Sequence, residues 1–120
     1  SQVIIKCDAE NLKEKFKNNS FEIIFSKNAL DHTYNPIEVI SNAIDLLTSD
    51  GMIILEHYIK EGEYTNYFGL HQWDFFIENG HLYISNKEKV IIRNLNAFFK
   101  SVQIESFYEG NKIINIIKKK

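Results

Sequence analysis

The sequence has almost no cysteine and no clustering of histidine, which excludes most metal and disulfide frameworks. Cys7 is the only cysteine in 120 residues, so neither an internal disulfide nor a four-cysteine zinc site can form. The four histidines are His32, His57, His71 and His81, and none has a second histidine at the close spacing typical of zinc ligands. We therefore expect no metal site and a reducing environment.

Long apolar runs and a strong net charge are also missing. No stretch approaches the roughly 20 apolar residues that span a bilayer, and the first residues do not form a basic region followed by an apolar one. The net charge is -2, and the only basic cluster is Lys118–Lys120. Nucleic-acid binding depends on clustered basic residues, so we expect no nucleic acid as partner. Because the sequence has neither a membrane-spanning run nor a signal-like start, we expect a cytoplasmic protein without a membrane partner.

What is present is the composition of an ordinary globular domain, with 44% hydrophobic and 25% charged residues in a length typical of one domain. Apolar runs at Val3–Cys7, Phe21–Phe25 and Met52–Leu55 predict three strands. Within Phe21–Phe25, the residues Ile23, Ile24 and Phe25 are consecutive, and a continuous apolar run is typical of an interior parallel strand. A short helix is predicted over Ala9–Phe16, and a turn at Asn18–Ser20 separates it from the second strand.

The clearest helix start in the chain is at Asn35–Pro36. Asn35 can cap the helix, Pro36 suits its first position, and Glu38 stands three residues after the cap, as in a capping box. The helix ends before a turn predicted at Thr48–Gly51. Its apolar face consists of Ile37, Ile40, Ala43, Ile44 and Leu47. Strand and helix alternate through Tyr58, which predicts a parallel sheet covered by helices.

The pattern after Lys60 is different. Alternating apolar residues on both sides of Asn79–Gly80 predict a β-hairpin, because this pair favours a two-residue turn. Val90–Phe99 fits either a strand or a helix, with a helix favoured at its end. Two alternating runs, Val102–Tyr108 and Ile113–Lys118, predict a terminal antiparallel pair.

Several motifs in order resemble the class I S-adenosylmethionine-dependent methyltransferases, of the type acting on small molecules. An acidic-small pair, Asp8–Ala9, follows the first strand, and the second strand has the family's Phe-Asp-Ile-Ile-like pattern at Phe21–Ser26. It leads to a Leu-Glu-His-like ending at Leu30–His32 and to the helix start at Asn35–Pro36. The resemblance implies an α/β fold, a Rossmann-like methyltransferase sheet that ends in an antiparallel strand pair.

The family's first two strands have no counterpart in this sequence. No GxGxG loop occurs, because all five glycines lie in later turns, at positions 51, 62, 69, 80 and 110. The resemblance therefore covers one partial domain over residues 1–120. Its parts are an α/β core at 1–58, a loop and β-hairpin lid at 59–85, and a helix with the terminal strand pair at 86–120.

An incomplete sheet leaves edges that invite pairing. Val3–Cys7 would close up beside Phe21–Ser26, or two copies would pair as a homodimer, or a missing N-terminal segment would fill the gap. We favour a truncated protein or a self-pairing dimer. We also expect this chain alone to bind cofactor weakly and to be inactive.

The resemblance implies S-adenosylmethionine as cofactor and places its site after two strands. Asp8 would accept a hydrogen bond from the adenine amino group, and the Ala9 backbone N–H would face a ring nitrogen. Ser26, Lys27 and Asn28 would lie beside the methionine part. The alternatives are a helix cap at Asp8 and an ordinary loop after Phe25.

The methyl acceptor would lie beside the end of the third core strand and under the hairpin. The implied substrate residues are Glu56, His57, Tyr58, His71 and Trp73. His32 and His57 are the candidates for a catalytic base, because imidazole titrates near neutral pH. All of these have a structural alternative as strand-end or packing residues. The function expected is therefore methyl transfer to a small molecule, and the alternative is a non-catalytic interaction or oligomerisation module.

Overall fold

The computed structural model describes residues 16–27, 35–58, 73–86 and 92–120. The strand predicted at Val3–Cys7 and all but the last residue of the helix predicted over Ala9–Phe16 lie outside the described residues. The elements in chain order are β1 (Phe21–Lys27), α1 (Pro36–Leu46), β2 (Leu47–Tyr58), β3 (Trp73–Glu78), β4 (His81–Asn86), β5 (Ile92–Asn94), α2 (Leu95–Phe98), β6 (Val102–Glu109) and β7 (Lys112–Lys119).

Two sheets organise the described part of the chain. The larger one has the strand order β1-β2-β7-β6, in which β1 and β2 are parallel and β7 is antiparallel to both β2 and β6. The smaller one has the order β3-β4-β5 and is antiparallel throughout. The mixed α/β fold with a terminal antiparallel pair is confirmed, and the ambiguous segment before Phe99 divides into the strand β5 and the short helix α2.

Helix α1 starts as the sequence predicts. The Asn35 side chain accepts a hydrogen bond from the Glu38 backbone N–H at 3.1 Å and donates one to the Glu38 carboxylate at 3.4 Å. Pro36 occupies the first turn, where it costs no hydrogen bond. The buried residues of this helix are Pro36, Val39, Ile40, Ala43, Ile44 and Leu46. The helix therefore presents one apolar face to the sheet.

The end of α1 is held by two distant parts of the chain. The backbone N–H groups of Asn19 and Ser20 donate to the last two helix carbonyls at 3.0 and 2.9 Å. The Lys119 ammonium donates to the Leu47 carbonyl at 2.7 Å and to the Asn19 side chain at 3.2 Å. A cation at this end of a helix is favoured by the helix dipole. Lys119 therefore joins the end of β7 to α1 and to the turn before β1.

Alternation along the strands gives the larger sheet a covered side, here called the inner face. Its central residues are Ile53, Leu55 and His57 on β2 and Ile113, Asn115 and Ile117 on β7, and all six are buried. Helix α1 and the smaller sheet contribute the rest of the same apolar core, including Val39, Ile40, Phe75, Leu82 and Ile84. Asn115 is polar but satisfied, because it accepts from the Ser106 hydroxyl at 2.6 Å and donates to the Leu55 carbonyl at 3.4 Å.

The opposite side, here called the outer face, is apolar but exposed. It includes Ile23 and Phe25 of β1, which are 61% and 58% exposed, and Phe107 of β6, which is 44% exposed. Among the described residues, β1 therefore lacks the covered outer side expected of an interior strand. In this part of the chain β2 is the only strand that pairs with β1, and the strand predicted at Val3–Cys7, which the sequence places as a possible neighbour, lies outside it.

Two side chains connect the smaller sheet to the larger one. Asn96 accepts from the Leu82 backbone N–H at 2.8 Å and donates to the Ile104 carbonyl at 3.1 Å. The Tyr108 hydroxyl accepts from the Ile77 N–H at 3.2 Å and donates to the carbonyl of the same residue at 3.3 Å. The β3–β4 hairpin itself is confirmed, with positive φ at both turn residues, Asn79 and Gly80.

The turn predicted at Thr48–Gly51 is wrong, because these residues are part of β2. The pairing with β1 moves from Phe21 opposite Leu47 to Ile23 opposite Met52, so 48–51 form an irregularity in the strand. Gly51 is required by this close approach. A Cβ atom there would lie 2.9 Å from the Phe21 carbonyl oxygen, which belongs to the backbone of β1.

We predict that Gly51→Ala destabilises the fold, because the added methyl group forces β1 away from β2. The expected loss is about 1–3 kcal/mol in the free energy of unfolding, measured by urea denaturation. Gly110→Asn is the control. Nothing lies within 4 Å of a Cβ at Gly110, and Asn tolerates the positive φ of 62° at that position. Equal stability of Gly51→Ala and the wild type would contradict this account of the irregularity.

Candidate functional site

The carboxyl ends of β1 and β2 lie side by side. Ser26 is paired with Leu55 and Lys27 with Glu56 in the parallel register. Ligands of open α/β sheets bind outside this end of the strands. Of the predicted cofactor residues, Ser26 and Lys27 are therefore at the expected edge, whereas Asp8, Ala9 and Asn28 lie outside the described residues.

Ser26 and Lys27 reach opposite sides of that edge. Ser26 is half-buried on the inner face beside Leu55, and Lys27 is exposed on the outer face beside Glu56. Neither side chain has a hydrogen bond within the part of the chain that the structure describes. The strand end therefore carries a hydroxyl on one face and an ammonium on the other.

The predicted substrate residues are divided in the same way. Glu56 and Tyr58 are on the outer face, where the Lys112 ammonium lies 2.8 Å from the Glu56 carboxylate and 5.7 Å from the centre of the Tyr58 ring. The hydrogen bond between them lowers the pKa of Glu56 and raises the pKa of Lys112. This pair lies at the surface, so its main effect is to hold the two side chains in place.

His57 is on the inner face and is only 2% exposed. Its imidazole stacks on the Phe75 ring, with 4.0 Å between the ring centres and 10° between the planes. Neither ring nitrogen has a hydrogen-bond partner among the described residues. Burial lowers the pKa of His57 to about 4, so the ring is neutral at pH 7, and one nitrogen carries a free lone pair.

Phe75 is the site residue that sequence reasoning missed. Its place on an alternating hairpin strand was predictable, but its contact with His57 joins two sheets and has no local sequence signal. Trp73 is half-buried and packs against the core, as its structural alternative implies. His32 and His71 lie outside the described residues.

Other features of the described residues do not add a second site. These residues contain no group of three or more acidic, histidine or cysteine side chains that could hold a metal ion. None of their helices is long and apolar enough to cross a membrane. A shallow depression of about 500 Å³, lined in part by Glu22, Ile23 and Asp50, lies at the amino end of β1, away from the ligand edge.

His57 should make the stability of the fold dependent on pH. Its pKa is about 4 in the folded chain against an ordinary value of 6.5, so the unfolded chain binds a proton between these values and the folded chain does not. The contribution of His57 to the free energy of unfolding should therefore be fully present above about pH 6.5 and decrease as the pH falls towards 4. The linked loss is on the order of 3 kcal/mol, measured by urea denaturation at several pH values.

Carboxylates also titrate in this range, so variants are needed to isolate the histidine. His57→Leu should remove this part of the dependence, because it replaces an unpaired polar ring with an apolar side chain. His81→Gln changes an exposed histidine and should retain the dependence of the wild type. Identical pH profiles of His57→Leu and the wild type would show that His57 does not contribute.

Comparisons with known proteins agree with this architecture. A family model described as a methyltransferase domain matches residues 3–117. The crystal structure of the PH0226 protein from Pyrococcus horikoshii OT3 is similar in fold, with a TM-score of 0.55 and 12% sequence identity. The alignment covers 95% of this chain and 60% of that protein. A search of curated protein sequences finds no match.

The similarity to the Pyrococcus protein, at this identity, concerns the fold alone. The family model is more specific, because its match extends from the first predicted strand into β7. It includes the parallel pair β1 and β2, whose carboxyl ends form the ligand edge, the helix between them and most of the antiparallel pair β6 and β7. The chain belongs to the methyltransferase domain family.

Proposed function

We propose that this chain is the C-terminal part of an S-adenosylmethionine-dependent methyltransferase that acts on a small molecule. The observation that carries the proposal is the parallel pairing of β1 and β2, which sets Ser26 beside Leu55 at the ligand edge in a chain of this family. The bound cofactor supplies an activated methyl group on a sulfonium. The protein's task is then to hold the acceptor in line with that group.

The described residues fit part of this cofactor. The Lys27 ammonium is suited to the carboxylate of the methionine part, and the Ser26 hydroxyl and backbone to its other polar groups. Asp8 and Ala9 are assigned to the adenine by resemblance. Because the sequence has no glycine-rich loop, the chain supplies only one side of the cofactor site.

In the proposed reaction, Ser26 and Lys27 would hold the methionine part of the cofactor, which would supply the methyl group to a lone pair of the acceptor and leave as S-adenosylhomocysteine. The proton of the acceptor would pass to a base or to water. The outer-face residues Glu56, Tyr58 and Lys112 hold each other in place at the entrance to this edge.

The test is to map S-adenosylhomocysteine on the 120-residue chain by backbone amide NMR shifts. We expect binding weaker than micromolar by calorimetry, and saturable shifts at Ser26, Lys27 and Glu56. Residues 48–51, at the other end of the paired strands, should not shift. Lys27→Ala should weaken binding, and Lys100→Ala, which removes an exposed lysine elsewhere, should not. Shifts confined to 48–51, or no shifts at all, would contradict the assignment.

The exposed edge of β1 favours a second candidate function, an oligomerisation module. Edge strands with exposed apolar side chains are normally paired or protected. An antiparallel pairing of two copies about Ile24 would set Ile23 opposite Phe25 of the second copy, twice, on the outer face. Glu22 would then stand opposite Ser26 on the inner face. The edge is therefore complementary to itself.

Sedimentation at micromolar concentrations tests this second candidate. If the edge pairs with itself, the wild type is a dimer and Ile23→Lys is a monomer, because the lysines replace the apolar contact with Phe25. Phe107→Lys is the matched control, since it adds the same charge to the outer face but at the opposite edge of the sheet. A monomeric wild type, or an equal effect of both variants, would rule out pairing through β1 and favour a strand from elsewhere in a longer chain.

A further inference from the structure

A buried imidazole without hydrogen bonds is an unusual choice at the end of β2. His57 is 2% exposed, and neither of its ring nitrogens has a partner in the part of the chain that the structure describes. Leaving a buried polar group unpaired is destabilising, whereas an apolar residue of similar size would not have this cost. A buried polar atom of this kind, at the edge where ligands bind, indicates a group that has a partner in another state of the protein.

The contact with Phe75 indicates the shape of that partner. The two rings are almost parallel, with their centres 4.0 Å apart. The imidazole therefore presents one face to a flat ring, and the benzene ring of Phe75 that covers this face cannot donate a hydrogen bond to the imidazole. Phe75 therefore covers the face of the imidazole but gives its ring nitrogens no hydrogen bond.

We propose that Phe75 occupies the place of the methyl acceptor, and that the acceptor is a flat aromatic or conjugated molecule whose O–H or N–H group donates a hydrogen bond to His57. The inference rests on the proposed methyltransferase function and names the substrate class for that site. His57 is then the residue that orients the acceptor.

The position of His57 suits this role. Ser26 is paired with Leu55 on the inner face, and His57 is the next inner-face residue of β2. Diagonal neighbours on one face of a sheet lie roughly 7–8 Å apart. A ring held on His57 therefore lies within a few ångströms of a cofactor held at Ser26, on the same face of the sheet.

Entry of the acceptor requires the movement of one ring and not of the whole smaller sheet. Leu82 and Ile84 of that sheet are fully buried, and Asn96 and Tyr108 join it to the larger sheet by hydrogen bonds. Separating the sheets would break all of these contacts. Phe75 is itself only 1% exposed and part of the close-packed core, so the acceptor has to displace its ring and does not enter beside it.

The experiment compares phenol with anisole, the methyl ether that has the same ring but no donor. Binding is followed through the His57 ring nitrogens by long-range proton–nitrogen NMR at pH 7.5, without cofactor. Phenol should shift both nitrogens saturably in the wild type, and anisole should not. Phe75→Leu should bind phenol several-fold more tightly, because the competing ring is removed while an apolar side chain still fills part of the space.

His57→Leu tests the contribution of the hydrogen bond separately from that of the ring contact. The preference for phenol over anisole, measured by calorimetry, should fall by about 3- to 10-fold in this variant. Phe98→Leu, which changes an exposed phenylalanine, should behave as the wild type. A merely structural histidine would not alter this preference.

The outcomes separate this inference from the proposed function. An absence of nitrogen shifts with phenol, a response in Phe75→Leu alone, or an equal response to anisole would overturn the acceptor assignment, even where S-adenosylhomocysteine maps to Ser26. If phenol shifts the His57 nitrogens but S-adenosylhomocysteine does not bind, the ring site at His57 is supported and the proposed methyl transfer is contradicted.

Discussion

The pairing of β7 with β2 is the constraint on which the rest of the structure depends. It sets Ile117, Asn115 and Ile113 opposite Ile53, Leu55 and His57. A slip of one residue would turn the inner set of one strand to the outer face. Asn115 resists such a slip, because its bonds to Ser106 and to the Leu55 carbonyl can form only in this register. A fully buried amide therefore fixes which side of the sheet is covered.

The same register explains how distant parts of the chain meet around α1. Because β7 runs antiparallel to β2, its last residues return to the start of β2, where Lys119 reaches the Leu47 carbonyl and the Asn19 side chain. The turn before β1 donates its own N–H groups to the end of the helix. The parallel pair, its connecting helix and the last strand thus stabilise one another, and the carboxyl ends of β1 and β2 are held together at the opposite end of the sheet.

Local signals in the sequence were sufficient for much of this fold. The cap at Asn35, the hairpin turn at Asn79–Gly80 and the terminal pair were predicted, because each depends on residues close in the chain. The irregularity at 48–51 was not, since Ser, Asp and Gly favour a turn in isolation, and only the approach of the Phe21 carbonyl keeps Gly51 in the strand. The exposure of β1 was also missed, because an apolar run does not reveal how many strands lie beside it.

The candidate site was predictable in position but not in arrangement. Alternation implies that His57 points away from Glu56 and Tyr58, but which side is covered depends on contacts with the smaller sheet. The result is a strand end with two different environments. Charged groups, Lys27 with the Glu56–Lys112 pair, lie on the exposed side, and Ser26 and His57 lie on the covered side.

This division would suit the methyl transfer proposed for this chain. The amino-acid end of the cofactor is charged and is best held where ammonium and carboxylate groups remain hydrated. The reacting sulfonium and a flat acceptor are best held where water is excluded, because electrostatic interactions are stronger there and the acceptor keeps one orientation. In the proposed site, a hydrogen bond from the acceptor to the neutral imidazole of His57 would fix that orientation without adding a charge. Because successive side chains of a strand point to opposite faces, Glu56 and His57 place a charged and a dry environment on the two faces of the same strand end.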